Sequence, residues 1–448
     1  EISCSLVGSE MCIRDRLNSE TAGFRAYYKT SPYTRLTAEY HHIHEFRRGG
    51  NEFDQPPHMA DIAEQLNHKI DGGGLKFDWF SPNNRHRMGI YTSAQNIDRD
   101  SYFGTDKKPD AYGATDDKTF VAGAQYTYSF HKLLFLPSEL TAGVEYNYNT
   151  LHDKYLGFGR DFEQTTHSTG FFFQNEWRSE KLNFLIGGRV DKHNMMKNVV
   201  FSPRVNVRYS PTEKIGLRAS YSSGYHAPQA YNEDLHIDAL DNKVAIIRLA
   251  PDLKPEYSHS LSASVDLYHN FGRVQANLLV EGFYTMLEDV FTLEKIGEDA
   301  QGNIIKERRN ASGATVAGVG AEAKAGIPGR FELQLGYTFQ RSRYDEPEKW
   351  SDDVTPQRRM FRSPSSSRNG PANVNLTRDF TASVFGNYTG RMLVQHNAGY
   401  IERDTERLTP DFWDMGLRLS YNFRLTKQLR LEPVSYTHLR AHETAANL

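Results

Sequence analysis

The sequence predicts an all-β protein, an antiparallel up-and-down transmembrane β-barrel. Three observations support this fold class. Apolar and polar side chains alternate along most of the chain, and tight turns alternate with long polar loops. Many alternating segments also exceed the about 9–11 residues that a membrane-spanning strand needs. A soluble sandwich would not sort its short and long connections onto two rims.

The composition excludes other classes. The 448 residues carry a net charge of only −3, which does not favour a nucleic-acid partner. Mean hydropathy is −0.65, and no stretch approaches the about 18 consecutive apolar residues of a membrane helix. A helical membrane protein is therefore excluded. A barrel stays compatible with a polar average because only every second residue faces lipid.

The clearest predicted hairpin runs from Arg204 to Tyr221. Val205, Val207 and Tyr209 share one face of its first arm, and a turn at Ser210-Pro211 leads into a second arm with the same alternation. A period of two indicates strands. The same pattern predicts about eighteen strands, at about residues 24–30, 33–48, 68–79, 85–99, 118–131, 138–152, 165–178, 181–194, 199–210, 213–224, 256–270, 272–290, 314–327, 330–344, 371–379, 380–392, 411–424 and 427–433.

The connections between these strands alternate in length. Tight turns such as Ser81-Pro82 and Pro328-Gly329 are followed by long polar loops, and the brief connection at 195–198 is the exception. Long loops in a compact domain are usually functional or disordered. They cover about residues 49–67, 100–117, 153–166, 225–255, 291–313, 345–370 and 393–410. In the first loop, the spacing of Met59, Ile62 and Leu66 predicts a short helix over residues 59–68.

Both ends of the chain differ from the rest. Residues 1–16 contain both cysteines, Cys4 and Cys12, and resemble translated sequencing-adapter sequence, as do residues 434–448. We expect both segments to be artefacts and exclude them from the fold prediction. Residues 17–433 contain no cysteine, so disulfides do not indicate the redox compartment.

Two motifs carry a family likeness. Gly224-Tyr225-His226-Ala227-Pro228 and Asp252-Leu253-Lys254-Pro255-Glu256 resemble the Gly-Phe-Arg/Lys-Ala-Pro and Asn-Leu-Lys-Pro-Glu motifs of TonB-dependent outer-membrane receptors. Tyr225, His226 and Asp252 depart from the family's residues. The likeness extends over residues 21–433 and is greatest to receptors of the Bacteroides kind.

The resemblance implies a fold, a location and a function. It implies part of a 22-stranded barrel that normally follows a plug and a TonB-binding segment. Because the sequence shows neither of these, we expect residues 17–433 to be an internal fragment of such a barrel. The implied protein is an active transporter in the outer membrane of a Gram-negative bacterium, surrounded by outer-membrane lipid and driven by TonB. Its implied cargo is a ferric siderophore or other iron chelate, haem or cobalamin; no cofactor is implied.

Two alternatives from other classes remain open. A passive porin would share the barrel without energy input. An outer-membrane barrel hydrolase would need a catalytic group, and Asp191 and His193 on one strand face, followed by Ser202, are the candidates.

The candidate ligand-binding residues lie in the loop between Tyr225 and Leu253, because long loops would form the outer vestibule. They are Tyr225, His226, Glu233, Asp234, His236 and Arg248. Arg248 is the only arginine in this loop. The alternative is that these polar groups only solvate the loop.

The densest set of potential metal ligands follows the second predicted strand. His41, His44 and His58 are the candidates, with His42, Asp54, Met59 and His68 nearby. Imidazole and thioether groups suit haem, copper or zinc. His42 and His44 share a strand face whereas His41 points to the other, so a site would need one face and the loop histidines together. The alternative is a set of polar residues at a strand end.

Overall fold

The computed structural model describes residues 16–231, 238–240, 243–300, 302–396, 398, 401–426 and 430–440. Within them the regular structure is β-strand apart from two single-turn 3₁₀ helices, Pro57–Met59 and Leu156–Phe158. No helix in this part of the chain is long and apolar enough to cross a membrane.

The strands are numbered in chain order. They are β1 (Arg16–Ser31), β2 (Thr34–Gly50), β3 (Ile62–Phe80), β4 (His86–Thr105), β5 (Tyr112–Leu133), β6 (Leu136–Tyr155), β7 (Arg160–Arg178), β8 (Leu182–His193), β9 (Val200–Thr212), β10 (Ile215–His226), β11 (Asp238–Leu240), β12 (Lys243–Leu249), β13 (Glu256–Phe271), β14 (Val274–Glu288), β15 (Phe291–Glu298), β16 (Ile304–Asn310), β17 (Gly313–Ile327), β18 (Phe331–Glu348), β19 (Gln357–Arg359), β20 (Ser366–Asn375), β21 (Phe380–Thr389), β22 (Leu393–His396), β23 (Thr405–Leu408), β24 (Phe412–Tyr421), β25 (Phe423–Arg424), β26 (Arg430–Leu431) and β27 (Val434–Arg440).

The main sheet contains 19 of these strands. It is an antiparallel meander in which each strand pairs with the next, in the order β1 to β10, β13, β14, β17, β18, β20, β21, β24 and β27. β19 adds to the end of β18. Tight turns connect the strands at one rim, the turn rim, and longer connections lie at the other, the loop rim. The predicted all-β, up-and-down fold class is therefore confirmed.

Several strands extend further toward the loop rim than the sequence predicts. β4 and β5 stay paired up to Tyr102 and Tyr112, so the loop predicted over residues 100–117 shrinks to residues 106–111. The many aspartates in this stretch suggested a loop. Strands that leave the apolar band have polar surroundings on both faces, so their composition no longer differs from that of a loop.

The predicted helix over residues 59–68 is wrong. The 3₁₀ turn at Pro57–Met59 overlaps the predicted range only at Met59, and β3 begins at Ile62. Ile62 and Leu66 are four residues apart, a spacing that fits one face of a helix and also one face of a strand. Pairing of β3 with both β2 and β4 decides in favour of the strand.

The predicted last strand over residues 427–433 is also wrong. Its described part contains only the two-residue β26, which pairs with β25. The strand that pairs with β24 is β27, at Val434–Arg440, in the segment that the sequence analysis excluded. Our expectation that residues 434–448 are artefactual concerns the origin of the segment and stays a prediction.

The two faces of the main sheet differ in polarity. On β18, Leu335, Tyr337 and Phe339 point one way and are 53%, 42% and 41% exposed. The residues between them are polar or glycine, and their neighbours make hydrogen bonds across strands, as Gln334 does to Glu322. In a membrane-spanning barrel, the apolar face contacts lipid and the polar face lines the interior.

Candidate functional site

A second sheet of four strands lies at the loop rim. β11 and β12 come from the connection between β10 and β13, and β15 and β16 come from the connection between β14 and β17. The pairing order is β11, β12, β16, β15, and β12 runs parallel to β16. We call this unit the mouth sheet. The sequence pattern predicts loops for these residues, although the apolar run Ala245-Ile246-Ile247 is also typical of a short strand.

An apolar cluster fixes the mouth sheet to the main sheet. Ile246 of β12 and Ile305 of β16 are 3% and 5% exposed. They belong to one cluster with residues from the loop-rim ends of the earlier strands, namely Ala60, Ala63, Tyr102, Phe103, Ala111, Tyr155 and Phe158. We call it the mouth core. It joins the connections that follow β10 and β14 to β3, β4 and β6, so the mouth sheet packs on the loop-rim ends of these earlier strands.

Tyr102 is one of two tyrosines of the mouth core that are fully buried, the other being Tyr155. The Tyr102 hydroxyl donates a hydrogen bond to the Lys108 carbonyl at 2.9 Å. Burial raises the pKa of Tyr102 to about 12, and the neighbouring Tyr112 adds to this effect while Arg48 opposes it. The hydroxyl therefore stays neutral at physiological pH and acts as a structural donor.

A buried carboxylate lies beside the mouth core. The Asp153 side chain is fully buried and accepts a hydrogen bond of 2.6 Å from Thr115 Oγ1. Arg99 Nη2 lies 3.3 Å and Arg160 Nε 2.9 Å from its oxygens, and both arginines are about nine-tenths buried. A buried charge of this kind is tolerated only when its partners are present. The cluster therefore connects β4, β5, β6 and β7 below the mouth core.

Aromatic rings collect at the edge of the mouth sheet. The His226 ring centroid lies 3.9 Å from that of Tyr231 and 5.3 Å from that of Phe291. The guanidinium of Arg308 lies 5.9 Å from the centroid of Phe291. We call these four residues the mouth cluster. Rings together with a guanidinium can bind a flat, anionic aromatic group by stacking and by charge.

The structure separates the predicted loop residues. His226 is exposed in the mouth cluster, and Arg248 is exposed on β12 opposite Glu307 of β16. Tyr225 instead packs, half-buried, on the cluster of Met196, Val200 and Ala227. Glu233, Asp234 and His236 lie outside the described residues. The sequence pattern did not indicate the other three residues of the mouth cluster. Phe291 and Arg308 lie in a different connection from His226, and Tyr231 lies in the same one.

The structure does not bring together His41, His44 and His58. The ring of His41 lies over Gly72, His44 Nε2 is hydrogen-bonded to Asn67 Oδ1 at 2.8 Å, and His58 Nδ1 to the Tyr112 hydroxyl at 2.8 Å. Across the described residues, no group of three or more His, Cys, Asp or Glu side chains is arranged to hold a metal ion.

A row of polar side chains crosses the inner face of β4 to β8. Tyr91 donates a hydrogen bond to Glu145, whose other oxygen lies 3.2 Å from Arg189 Nη2. Arg189 Nε also contacts both oxygens of Asp191, at 2.8 and 2.9 Å. We call these four residues the interior row.

Two glycines make the interior row possible. Gly123 and Gly170 alternate with Tyr91, Glu145 and Asp191 in register across the five strands. A Cβ atom at Gly123 would lie 2.4 Å from Tyr91 Cζ, and one at Gly170 would lie 2.3 Å from Arg189 Nη2. The side chains therefore lie flat on neighbouring strands and line the interior with charge.

A family comparison agrees with this geometry. The model of the family described as TonB dependent receptor-like, beta-barrel, matches residues 14–432. The chain belongs to this family. Its members are transporters and not enzymes, and the family places this receptor barrel in the outer membrane of a Gram-negative bacterium.

Solved receptors share the fold at low identity. The siderophore receptor PirA from Acinetobacter baumannii is 13% identical, with 96% of this chain and 67% of that chain covered and a TM-score of 0.70. The ferric enterobactin receptor PfeA from Pseudomonas aeruginosa is 14% identical, with 94% of this chain and 64% of that chain covered and a TM-score of 0.71. The ferric-catecholate import receptor Fiu from Escherichia coli is 12% identical, with 94% of this chain and 70% of that chain covered and a TM-score of 0.67. The chain thus spans about two thirds of the length of these receptors, and no curated protein matches its sequence.

The receptor barrel also lacks the geometry of the hydrolase alternative. Asp191 is held by Arg189, and Nδ1 of His193 accepts a hydrogen bond of 3.2 Å from the Met195 amide. A Ser-His-Asp site needs Nδ1 of the histidine to donate to the carboxylate. Asp191 and His193 therefore support the barrel wall and do not form a catalytic pair.

Proposed function

We propose that this receptor barrel imports a ferric siderophore, most specifically a ferric catecholate, across the outer membrane with energy supplied through TonB. The family and the siderophore receptors among its structural relatives support an iron chelate as cargo. The observation that carries the proposal is the mouth cluster. It presents aromatic rings and a guanidinium at the rim that we propose faces the cell exterior.

The chemistry of the mouth cluster favours a catecholate over cobalamin. Ferric catecholates combine flat aromatic rings with negative charge. His226, Tyr231 and Phe291 offer ring faces, and Arg308 offers a cation beside them. Arg248 is also exposed on the mouth sheet, where β12 places it in register with Glu307 of β16. The interior row then continues a polar surface below the mouth.

Binding of three probes tests this proposal. The 448-residue chain, folded in detergent, is titrated with ferric enterobactin, haemin and cyanocobalamin, and quenching of tryptophan fluorescence is measured. We expect ferric enterobactin to bind most tightly. His226→Ala and Phe291→Ala should each weaken it about tenfold, because each removes a stacking face.

A histidine outside the mouth provides the control. His86 also contacts tyrosine rings, those of Tyr126 and Tyr128, but it lies beside a tight turn at the opposite rim. His86→Ala should leave binding unchanged. Equal affinity for all three probes, or no effect of the mouth variants, would contradict the proposal. A steady ion conductance in planar bilayers without any probe binding would favour the passive porin instead.

A further inference from the structure

An apolar groove lies on the lipid-facing surface of the second half of the main sheet. Its volume is about 820 Å³. Small residues form its floor where a register row crosses adjacent strands: Ala219 of β10 pairs with Ala263 of β13, which pairs with Gly282 of β14. We call this feature the lipid groove.

The space above the floor is open. A Cβ atom built on Gly282 would meet no atom within 4 Å, unlike one on Gly123 or Gly170. The next register row closes one side of the lipid groove with larger side chains, Tyr221, Leu261 and Tyr284. Elsewhere, on β5 to β7, the lipid-facing side carries large exposed rings such as Phe120 and Phe171. The lipid groove therefore has open space at Gly282, beside a row of larger side chains.

A guanidinium stands at one end of the lipid groove. Arg341 lines it and lies in register with Ala317, which is in register with Tyr284. Among the described residues, the Arg341 side chain makes no ion pair or hydrogen bond, and its guanidinium lies 5.8 Å from the Phe339 ring centroid. The acidic side chain nearest along this face of β18, Asp345, is contacted by Thr315 at 3.5 Å.

The height of Arg341 matches the surface of the bilayer. The lipid-facing row of β18 is apolar from Phe331 to Phe339 and becomes basic at Arg341 and Arg343. From Phe331 to Arg341 the strand rises about 34 Å, and a tilt of about 40° leaves about 26 Å along the bilayer normal. The apolar band of such barrels is about 25 Å tall. Arg341 therefore lies where lipid phosphates lie.

We propose that the lipid groove binds one phosphorylated diacyl lipid, with an acyl chain over Ala219, Ala263 and Gly282 and the phosphate on Arg341. The row from β9 to β18 is about 24 Å wide at about 4.8 Å per strand, enough for a long acyl chain. A guanidinium binds phosphate through two parallel hydrogen bonds, and the weakly polar surroundings strengthen them.

Native mass spectrometry of the 448-residue chain in detergent tests this site. The probes are dioleoyl phosphatidic acid, dioleoylglycerol and inorganic phosphate. We expect one phosphatidic acid per chain, about tenfold weaker retention of the diacylglycerol, and no retention of inorganic phosphate. Retention of diacylglycerol equal to that of phosphatidic acid would overturn the phosphate contact, and dimeric chains without lipid would show a second copy in the groove.

Matched variants separate the groove from the general lipid surface. Gly282→Leu fills the open space and Arg341→Gln removes the charge, so each should weaken phosphatidic acid binding about tenfold. Ala142→Leu enlarges an exposed lipid-facing residue outside the groove, and Arg368→Gln removes an arginine that stacks on Tyr337 and Tyr388. Both controls should bind as the parent does. If Gly282→Leu also binds as the parent does, the groove is not the site; Arg341→Lys should keep part of the affinity.

Discussion

Individual glycines in the two halves of the main sheet have different surroundings. In the first wall, β4 to β8, Gly123 and Gly170 lie on the inner face under the interior row, while large rings such as Phe171 cover the outside. In the second wall, which consists of β10, β13, β14, β17 and β18, Ala263 and Gly282 lie on the outside. Neighbouring side chains fill the space beside Gly123 and Gly170, whereas the space beside Gly282 is open. The inner face of the first wall is therefore filled at these two glycines, and the outer face of the second wall leaves space for lipid at Gly282.

Among the substitutions that compare the two walls, Asp153→Ala should change the free energy of unfolding most. We expect Asp153→Ala to lower the free energy of unfolding by about 3–5 kcal/mol, because Arg99 and Arg160 would stay buried without a counter-charge. Urea unfolding in detergent measures it. The second wall offers a control in Asp266, whose partner Arg218 is half-exposed at 3.5 Å. Asp266→Ala should cost clearly less, and equal losses would contradict the difference between the walls.

A substitution that detaches the mouth sheet from the mouth core should have the second-largest effect on stability. Ile246→Ala removes a side chain that is 3% exposed in the mouth core, and such truncations cost about 2–5 kcal/mol. We expect the loss to be confined to the mouth, so that limited proteolysis cuts the connection between β10 and β13 faster. Ile296 of β15 is 53% exposed and provides the control. An unchanged cleavage rate in Ile246→Ala would show that the mouth core does not hold the sheet.

Adding one methyl group to each wall tests the comparison directly. Gly123→Ala places a Cβ within 2.4 Å of the Tyr91 ring, so we expect a loss of about 1–3 kcal/mol from overpacking. Gly282→Ala meets only open space and should change stability by less than about 0.5 kcal/mol. Both are measured by urea unfolding. The reverse order would remove the distinction between a filled and an open face.

The smallest effect concerns the ionisation of Tyr102. An exposed tyrosine titrates near pH 10, whereas burial raises the pKa of Tyr102 to about 12. Because the folded state favours the neutral phenol, its contribution to stability is present below about pH 10 and is lost as the pH rises toward 12. Tyr102→Phe should remove one late-titrating tyrosine from the absorbance titration at alkaline pH. Loss of only an early-titrating group would contradict the burial argument.

The sequence predicted the membrane-spanning part of the fold well, since one face of each strand must be apolar there. Leu335, Tyr337 and Phe339 alternate with polar residues, and this pattern fixes both strand and face. The alternation did not predict the strands at the loop rim, where Tyr102 pairs with Tyr112 in a stretch whose composition resembles that of a loop.

The candidate site was only partly accessible from the sequence. His226 was predicted as a ligand contact in one loop, but Phe291 and Arg308 approach it from another loop, and only tertiary structure brings them together. The histidines at positions 41, 44 and 58 are close in sequence, yet strand geometry and separate partners keep them apart. The lipid groove depends on the register between six neighbouring strands. The alternation within one strand does not reveal which residues of the neighbouring strands lie beside it.

The parallel pairing of β12 with β16 has a mechanical consequence. It ties the two connections that follow β10 and β14 through one set of backbone hydrogen bonds, and Ile246 and Ile305 anchor both in the same cluster. The two connections therefore form one unit, which we expect to move as a whole and which is attached to the main sheet at the ends of β10, β13, β14 and β17. In the proposed transporter, we expect cargo to displace both connections together or to pass their edge, where His226 lies.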